Sequence, residues 1–282
     1  MERSKQSTPV QASPLLGRQK PFRPCAAPQE NSLAETHTHL PTAILFDLDD
    51  TLISAYGQPR NAWEKVIAEF GEDLSPLPKD QAIETISDFA LEFWTDTEEH
   101  QKKWRLRLKD ARREIVREAL TRTQRFGVDG PEIDLIHAIA DRFTHLREEE
   151  MTPFPGALET IDHLKDLGVK LALITNGGPD MQRPKVERFG LEHRFDHIQI
   201  EGEHGFGKPE EEAYRHALKS LDVSANETWM VGDNLRWEIE APQNLGIFAI
   251  WHDAYNRGLP EDTHIVPDRI IKSIPELLQP AG

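Results

Sequence analysis

The sequence predicts a doubly wound α/β fold: a parallel sheet with helices on both faces, carrying a helical domain inserted after its first strand. Three observations lead there. The apolar run Ala43-Ile44-Leu45-Phe46 stands between Pro41 and an acidic stretch and reads as a strand buried on both faces. Over residues 60–150 the apolar spacing is helical and no strand pattern appears. Beyond Pro153-Phe154-Pro155-Gly156, short apolar strands alternate with helices, the grain of a parallel sheet. The first strand must join that sheet, which makes the helical block an insertion.

Taken in order, residues 1–40 read as a disordered extension. Pro9, Pro14, Pro21, Pro24 and Pro28 interrupt any periodicity, and Ser, Gln and basic residues fill the gaps. The core is expected in residues 41–54 and 152–282, and a helical cap in 55–151. Within the cap, Trp63, Val66, Ile67 and Phe70 keep one apolar face, as do Ile83, Ile86, Phe89, Ala90 and Phe93. A long charged helix over 97–126 is expected to stop at Gly127. Another, over 132–146, places Ile133, Ile136, Ile139, Ala140 and Phe143 at helical spacing. In the core, helices over 157–167, 182–189, 209–221 and 238–245 alternate with strands over 170–174, 197–200, 228–231 and 247–251.

The 282 residues carry 33 Lys and Arg against 49 Asp and Glu, a net charge of −16. Such a field repels phosphate backbones and anionic lipid, so neither nucleic acid nor a membrane surface is an expected partner. Mean hydropathy is −0.59, and no apolar run approaches the ~20 residues of a membrane span. The one cysteine, Cys25, cannot form an intrachain disulfide. Gln11, Ser13 and Pro14 interrupt the only early apolar stretch, so no secretory leader is expected and the cytoplasm is the default location.

In an open parallel sheet, ligands bind beyond the carboxyl ends of the strands, so the residues after each strand form a functional census. Asp47-Leu48-Asp49-Asp50-Thr51 follows the first strand, and Thr175-Asn176-Gly177-Gly178 follows the 170–174 strand. Gly232-Asp233-Asn234 follows the 228–231 strand, with Glu238 one turn on, and Gly205-Phe206-Gly207-Lys208-Pro209 lies past 197–200. Carboxylates gathered in one place repel each other and need a cation, and all-oxygen ligation favours Mg²⁺. A lysine, a threonine hydroxyl and helix N-termini suit an anionic, oxygen-rich group. Together they describe a phosphoryl site. Asp47 and Asp49 are two apart and share one side of an extended chain. One can attack as a carboxylate nucleophile while the other moves protons.

These segments resemble the haloacid-dehalogenase-like (HAD) hydrolase superfamily. Phe46-Asp47-Leu48-Asp49-Asp50-Thr51-Leu52 is similar to its first motif and Leu173-Ile174-Thr175-Asn176-Gly177 to its second. Lys208 in Gly207-Lys208-Pro209 matches the third, and Val231-Gly232-Asp233-Asn234 with Glu238 the fourth. The matches come in the family's order, and the long insert resembles its helical-cap (C1) subclass on a Rossmann-like core. The resemblance implies a phosphatase. Asp47 would be nucleophile and Mg²⁺ ligand, and Asp49 the general acid/base with its backbone carbonyl on the metal. Thr175 and the amides around Asn176 would hold the phosphate, Lys208 would steady nucleophile and phosphate, and Asp233 would complete the metal sphere. Glu238 stands where the family usually has Asp, is one methylene longer, and is expected with Asp47, Asp49 and Asp233 in the metal set, directly or through water. Dehalogenase members lack the second aspartate, and sugar phosphomutases usually show Gly-Val where this chain has Asp50-Thr51. The expectation is Mg²⁺-dependent hydrolysis of a small phosphorylated metabolite through an aspartyl-phosphate.

Plainer readings stand beside these. The acidic triplet can be a turn with a helix cap, and Thr175-Asn176-Gly177-Gly178 ordinary turn chemistry. The cap aromatics Trp63, Phe89, Phe93, Trp94 and Trp104 read as core packing. Lys102, Lys103, Arg105, Arg107, Lys109, Arg112 and Arg113 alternate with Glu98, Glu99, Asp110 and Glu114, which reads as a solvated, ion-paired face from which one arginine can reach an acidic substrate. Two rival functions follow: a sugar phosphomutase of the same fold, and a non-catalytic module that binds a phosphorylated ligand or partner.

Overall fold

The computed structural model describes residues 40–57, 59–123 and 132–280. The expected extension over residues 1–40, save Leu40, and the expected helix stop at Gly127 lie outside the described residues. Strand β1 (Ala43–Phe46) leads into a two-residue strand, β2 (Ile53–Ser54). Five helices follow: α1 (Pro59–Glu69), α2 (Lys79–Trp94), α3 (Glu98–Arg105), α4 (Leu108–Arg122) and α5 (Ile133–Glu150). Strand β3 (Thr152–Pro153) then returns antiparallel to β2 and closes the neck of the insert. The remainder alternates through α6 (Ala157–Asp166), β4 (Lys170–Thr175), α7 (Pro179–Arg188), β5 (His197–Ile200), α8 (Glu201–His204), α9 (Glu211–Leu221) and β6 (Thr228–Gly232). A π-type turn (Leu235–Glu240), α10 (Ala241–Gln243), β7 (Phe248–His252) and β8 (Arg269–Ile271) complete it.

Six strands form one parallel sheet in the order β5-β4-β1-β6-β7-β8. Each face of β1 is covered. Ile44 and Phe46 enter a core with Leu171, Leu173, Trp229 and Val231. Ala43 and Leu45 enter another with Ala172, Ile174, Met230 and Tyr214. This alternation with burial on both sides is why the strand is an unbroken apolar run. From β1 the chain winds outward through β4 and β5, then crosses to β6, β7 and β8, so the switch point lies at the carboxyl end of β1. The insert has a separate core, in which Trp63 stacks on Phe143 at 3.7 Å between ring centroids.

Several boundaries depart from the periodicity. The helix expected over 97–126 is two helices, because Arg107 leaves helical space at φ −133°, ψ 52°. There the carbonyl of Leu106 passes so close to Gly178 that a Cβ would come within 2.8 Å of its oxygen. The paired glycines therefore serve a backbone approach from the insert that no local pattern reveals. Ile133, expected on the buried face of its helix, is exposed, and α5 continues to Glu150. The helix expected over 238–245 is instead the wider π-type turn followed by the short α10. β2, β3 and β8 were not expected: two or three residues are too few to show a period.

Candidate active site

Three adjacent strands end at one place. Asp47 follows β1, Thr175 closes β4 and Asp233 follows β6. Asp47 is buried; Thr51 donates to its Oδ2 at 2.9 Å and Lys208 Nζ to its Oδ1 at 2.5 Å. Lys208 Nζ also meets Glu238 Oε1 at 2.8 Å, so the ammonium lies between two carboxylates. The other oxygen of Glu238 accepts the Asn234 amide at 2.7 Å. Asn234 builds that turn: its Oδ1 caps the amides of Arg236 and Trp237. Gly232 makes room for it, since a Cβ there would lie 2.0 Å from Glu238 Cγ. Asn176 acts on Lys208 through the backbone, donating to its carbonyl at 2.7 Å and accepting its amide at 2.8 Å.

Asp49 lies beside Asp47 but faces α7. Lys185 Nζ bonds both its oxygens at 2.8 and 2.7 Å, and Gln182 Nε2 reaches Oδ2 at 2.9 Å and the Thr175 hydroxyl at 2.5 Å. Asp50 follows the plainer reading. It adopts φ 59°, and its carboxylate accepts the amides of Ala55, Tyr56 and Gly57 and the hydroxyl of Tyr255. It shapes the loop and is spent there.

The electrostatics favour a guest cation. Burial pushes the pKa of Asp47 up against the pull of Lys208, and burial raises Glu238 to about 7. Asp233 is pushed well up, by burial first and then by Glu238, Asp47 and Asp50. Burial opposes the charge of Lys208, yet Asp47 and Glu238 on either side hold its pKa above the ordinary lysine value. Among the described residues no hydrogen bond or ion pair reaches the Asp233 carboxylate, whose backbone carbonyl is fixed by Trp251 Nε1 at 2.7 Å.

A cavity of about 670 Å³ opens over these groups, its far wall formed by the insert. A family model for haloacid dehalogenase-like hydrolases matches residues 41–246, three strand-end clusters and the lysine included. The chain belongs to this family. The hydrolase is 29% identical over 238 residues to the glyceraldehyde 3-phosphate phosphatase of Pyrococcus furiosus, spanning 84% of this chain and 91% of that protein. It is 38% identical over 133 residues to the phosphoserine phosphatase of Thermus thermophilus, 46% of this chain and about half (52%) of that relative's length. Among solved structures, the magnesium-bound putative HAD-hydrolase YfnB of Bacillus subtilis superposes with a TM-score of 0.59 at 21% identity, over 85% of this chain and 97% of that one. A 2-haloacid dehalogenase of Pseudomonas syringae pv. Tomato gives 0.54 at 26% identity, over 85% and 96%.

The hydrolase's site also holds residues that sequence reasoning missed. Lys185 keeps its charge despite burial, because Asp49 and Tyr56 outweigh desolvation and raise its pKa. Its signal was the spacing from Gln182, three residues back on one face of α7. Glu201, 1% exposed, receives Arg105 of the insert through two bonds of 2.8 and 2.6 Å and the Gly177 amide at 3.1 Å. The expected ion-paired face of the insert holds in part: Arg107 pairs with Asp110, and Arg113 with Asp141. Arg112 does not belong to it. It is buried, and lines the cavity. Outside the cavity, ring nitrogens of His197, His204 and His216 stand within 4.8 Å of one another, packed with Phe206.

Proposed function

We propose that the chain is a cytoplasmic, Mg²⁺-dependent phosphatase that hydrolyses a small phosphomonoester through an aspartyl-phosphate. The observation that carries this is Asp47: a buried carboxylate at the end of the central strand, held by Lys208 and Thr51, with Asp49 beside it on the cavity. Glyceraldehyde 3-phosphate and phosphoserine phosphatases among the relatives support the reaction class. No helix among the described residues is long and apolar enough to cross a membrane.

The residues fit a divalent cation. Asp47, Asp49, Asp233 and Glu238 face two lysines, Lys185 and Lys208, which leaves an excess of two negative charges. Asp47, Asp233 and the backbone carbonyl of Asp49 would hold Mg²⁺. Glu238, with both oxygens committed to Lys208 and Asn234, acts from behind the lysine. When bound, the ion offsets charge on the transferring group.

Asp47 attacks phosphorus and forms a P–O bond as the ester P–O bond breaks. Asp49, ion-paired with Lys185, takes up a proton as substrate binds and gives it to the departing oxygen, then takes one from the water that cleaves the aspartyl-phosphate. Lys208, the Thr175 hydroxyl and amides around Asn176 stabilise the phosphoryl oxygens. The insert acts as a cap, closing over the cavity to exclude bulk water and select the leaving group.

Phosphate release from a panel of small phosphomonoesters, with Mg²⁺ and with chelator, tests the reading in wild type and Asp47→Asn. Release is expected to need Mg²⁺ and to fall at least about a thousandfold in the variant, with circular dichroism unchanged. Asn keeps an oxygen for Lys208, so the fold survives. Undiminished release by repurified Asp47→Asn would end the proposal. Phosphoryl transfer within a sugar instead of to water would make the enzyme a mutase.

A further inference from the structure

Among the described residues, the buried lysines around the catalytic rim each have an acid, as does the half-buried Arg105: Lys208 has Asp47 and Glu238, Lys185 has Asp49, and Arg105 has Glu201. Arg112, in the second turn of α4, is the exception. It is 6% exposed, and its Nη1 is wholly buried without a hydrogen-bond partner among the described residues. What surrounds the guanidinium is aromatic, with the Phe143 ring centroid at 5.4 Å and that of Tyr56 at 6.0 Å. Asp49 and Glu148 are the acids whose charge it feels, yet neither contacts it, and Asp49 is held by Lys185 and Gln182. Arg147, also on the cavity, donates to the Ala55 carbonyl.

A buried, unpaired guanidinium is costly, and a folded chain keeps one where something else completes it. The fork of an arginine matches a carboxylate or a phosphate, and the flanking rings hold its plane while shielding it from water. The same cavity carries Asp47 on its sheet side and Arg112 on its insert side. We infer that Arg112 is the specificity residue for a second anionic group on the substrate, a carboxylate or a further phosphoryl group at the end remote from the bond being cleaved. This rests on the phosphatase reading. It narrows the substrate class to phosphomonoesters with two anionic ends. Desolvation acts in the same direction: burial lowers the arginine's affinity for its proton, a cost that an anion at Nη1 removes.

The test compares ω-carboxyalkyl phosphates of two to six carbons with the ω-hydroxyalkyl phosphates of equal length, and with the matching bisphosphates. For wild type, kcat/KM is expected to favour the acid or the bisphosphate over the alcohol by about 10- to 100-fold at the best length. In Arg112→Met that ratio falls to near one, and Arg112→Lys retains part of it. Whether acid or bisphosphate is preferred says which anion the subsite takes. A wild-type ratio near one at every length, or a ratio unchanged in Arg112→Met, overturns the inference. Binding of ω-carboxyalkyl phosphonates, followed by the fluorescence of Trp63 and Trp94 on the cavity wall, separates the two proposals. At least tenfold weaker binding to Arg112→Met supports the subsite even if wild type hydrolyses nothing, a result that would overturn the phosphatase reading alone. Equal binding to both proteins overturns the subsite.

Discussion

On the sheet side of the cavity, Lys208 sits between Asp47 and Glu238, and Lys185 spans both oxygens of Asp49. On the insert side, Arg112 has aromatic rings beside it and, among the described residues, no acid in contact. Both walls bury positive charge, but they treat it differently. The sheet wall satisfies its cations internally, so its geometry is set before any ligand arrives and suits a fixed piece of chemistry. The insert wall pairs Arg105 at the seam but leaves Arg112 open, so its polarity there is completed only by what binds. On the proposed function, reaction and selectivity are divided between two parts of one chain.

The largest expected effect comes from applying the same change to both walls. Lys208→Met strands Asp47 and Glu238 as buried carboxylates and is expected to cost about 3–5 kcal/mol. Arg112→Met removes an unsatisfied charge and should leave stability unchanged or raise it by about 1–3 kcal/mol. Urea unfolding of the two variants beside wild type measures both numbers. Equal losses would mean that Arg112 is a structural residue like Lys208, and the contrast between the walls would fail.

Next comes the seam. Arg105 ties the insert to Glu201 of the core, and Glu201 also holds the Gly177 amide in the loop after β4. Arg105→Ala leaves Glu201 buried without its cation, an expected loss of about 3 kcal/mol. Because Glu201 touches that loop, KM for any phosphomonoester should rise as well. A stability loss below about 1 kcal/mol would show that the two walls are held together mainly by apolar packing.

The two walls also differed in how far they were legible. Asp47, Thr175 and Asp233 lie at strand ends, and a parallel sheet brings strand ends together whatever the side-chain details, with Lys208 following in the loop past β5 and α8. Glu238 could be found but not placed, since its direction depends on a π-type turn and on the space left by Gly232. Arg112 was hidden among charges that read as a solvated face. Only helical phase separates it from Arg113: Arg112 shares a stripe with Leu108, Ile115 and Ala119, whereas Arg113 turns outward to Asp141. A lone arginine within an apolar stripe was the available signal. Lys185 and Arg105 were harder still, because their partners come from segments 136 and 96 residues away.

The smallest effect concerns the charge imbalance of the sheet wall and reads out as pH dependence. Glu238 has its pKa pushed up to about 7 by burial, and Asp47 and Asp233 are raised as well. A carboxylate whose pKa is higher in the folded state binds protons more tightly there. Its stabilising contribution is therefore complete below the unfolded value near 4.5 and is lost as pH rises through about 7. In chelator, the melting temperature of wild type should fall between pH 5 and pH 8 by a few degrees more than that of Glu238→Gln, on the order expected for 1–2 kcal/mol in a chain of this size. The difference between the two proteins reports Glu238 together with the part of the Asp233 shift that Glu238 causes. Added Mg²⁺ should stabilise wild type more at pH 8 than at pH 5, because the ion competes with protons for Asp47 and Asp233. Parallel pH profiles for the two proteins in chelator would mean that Lys208 and the Asn234 amide already balance Glu238. The surplus charge would then rest on Asp233 alone, and Asp233→Asn would become the variant that flattens the profile.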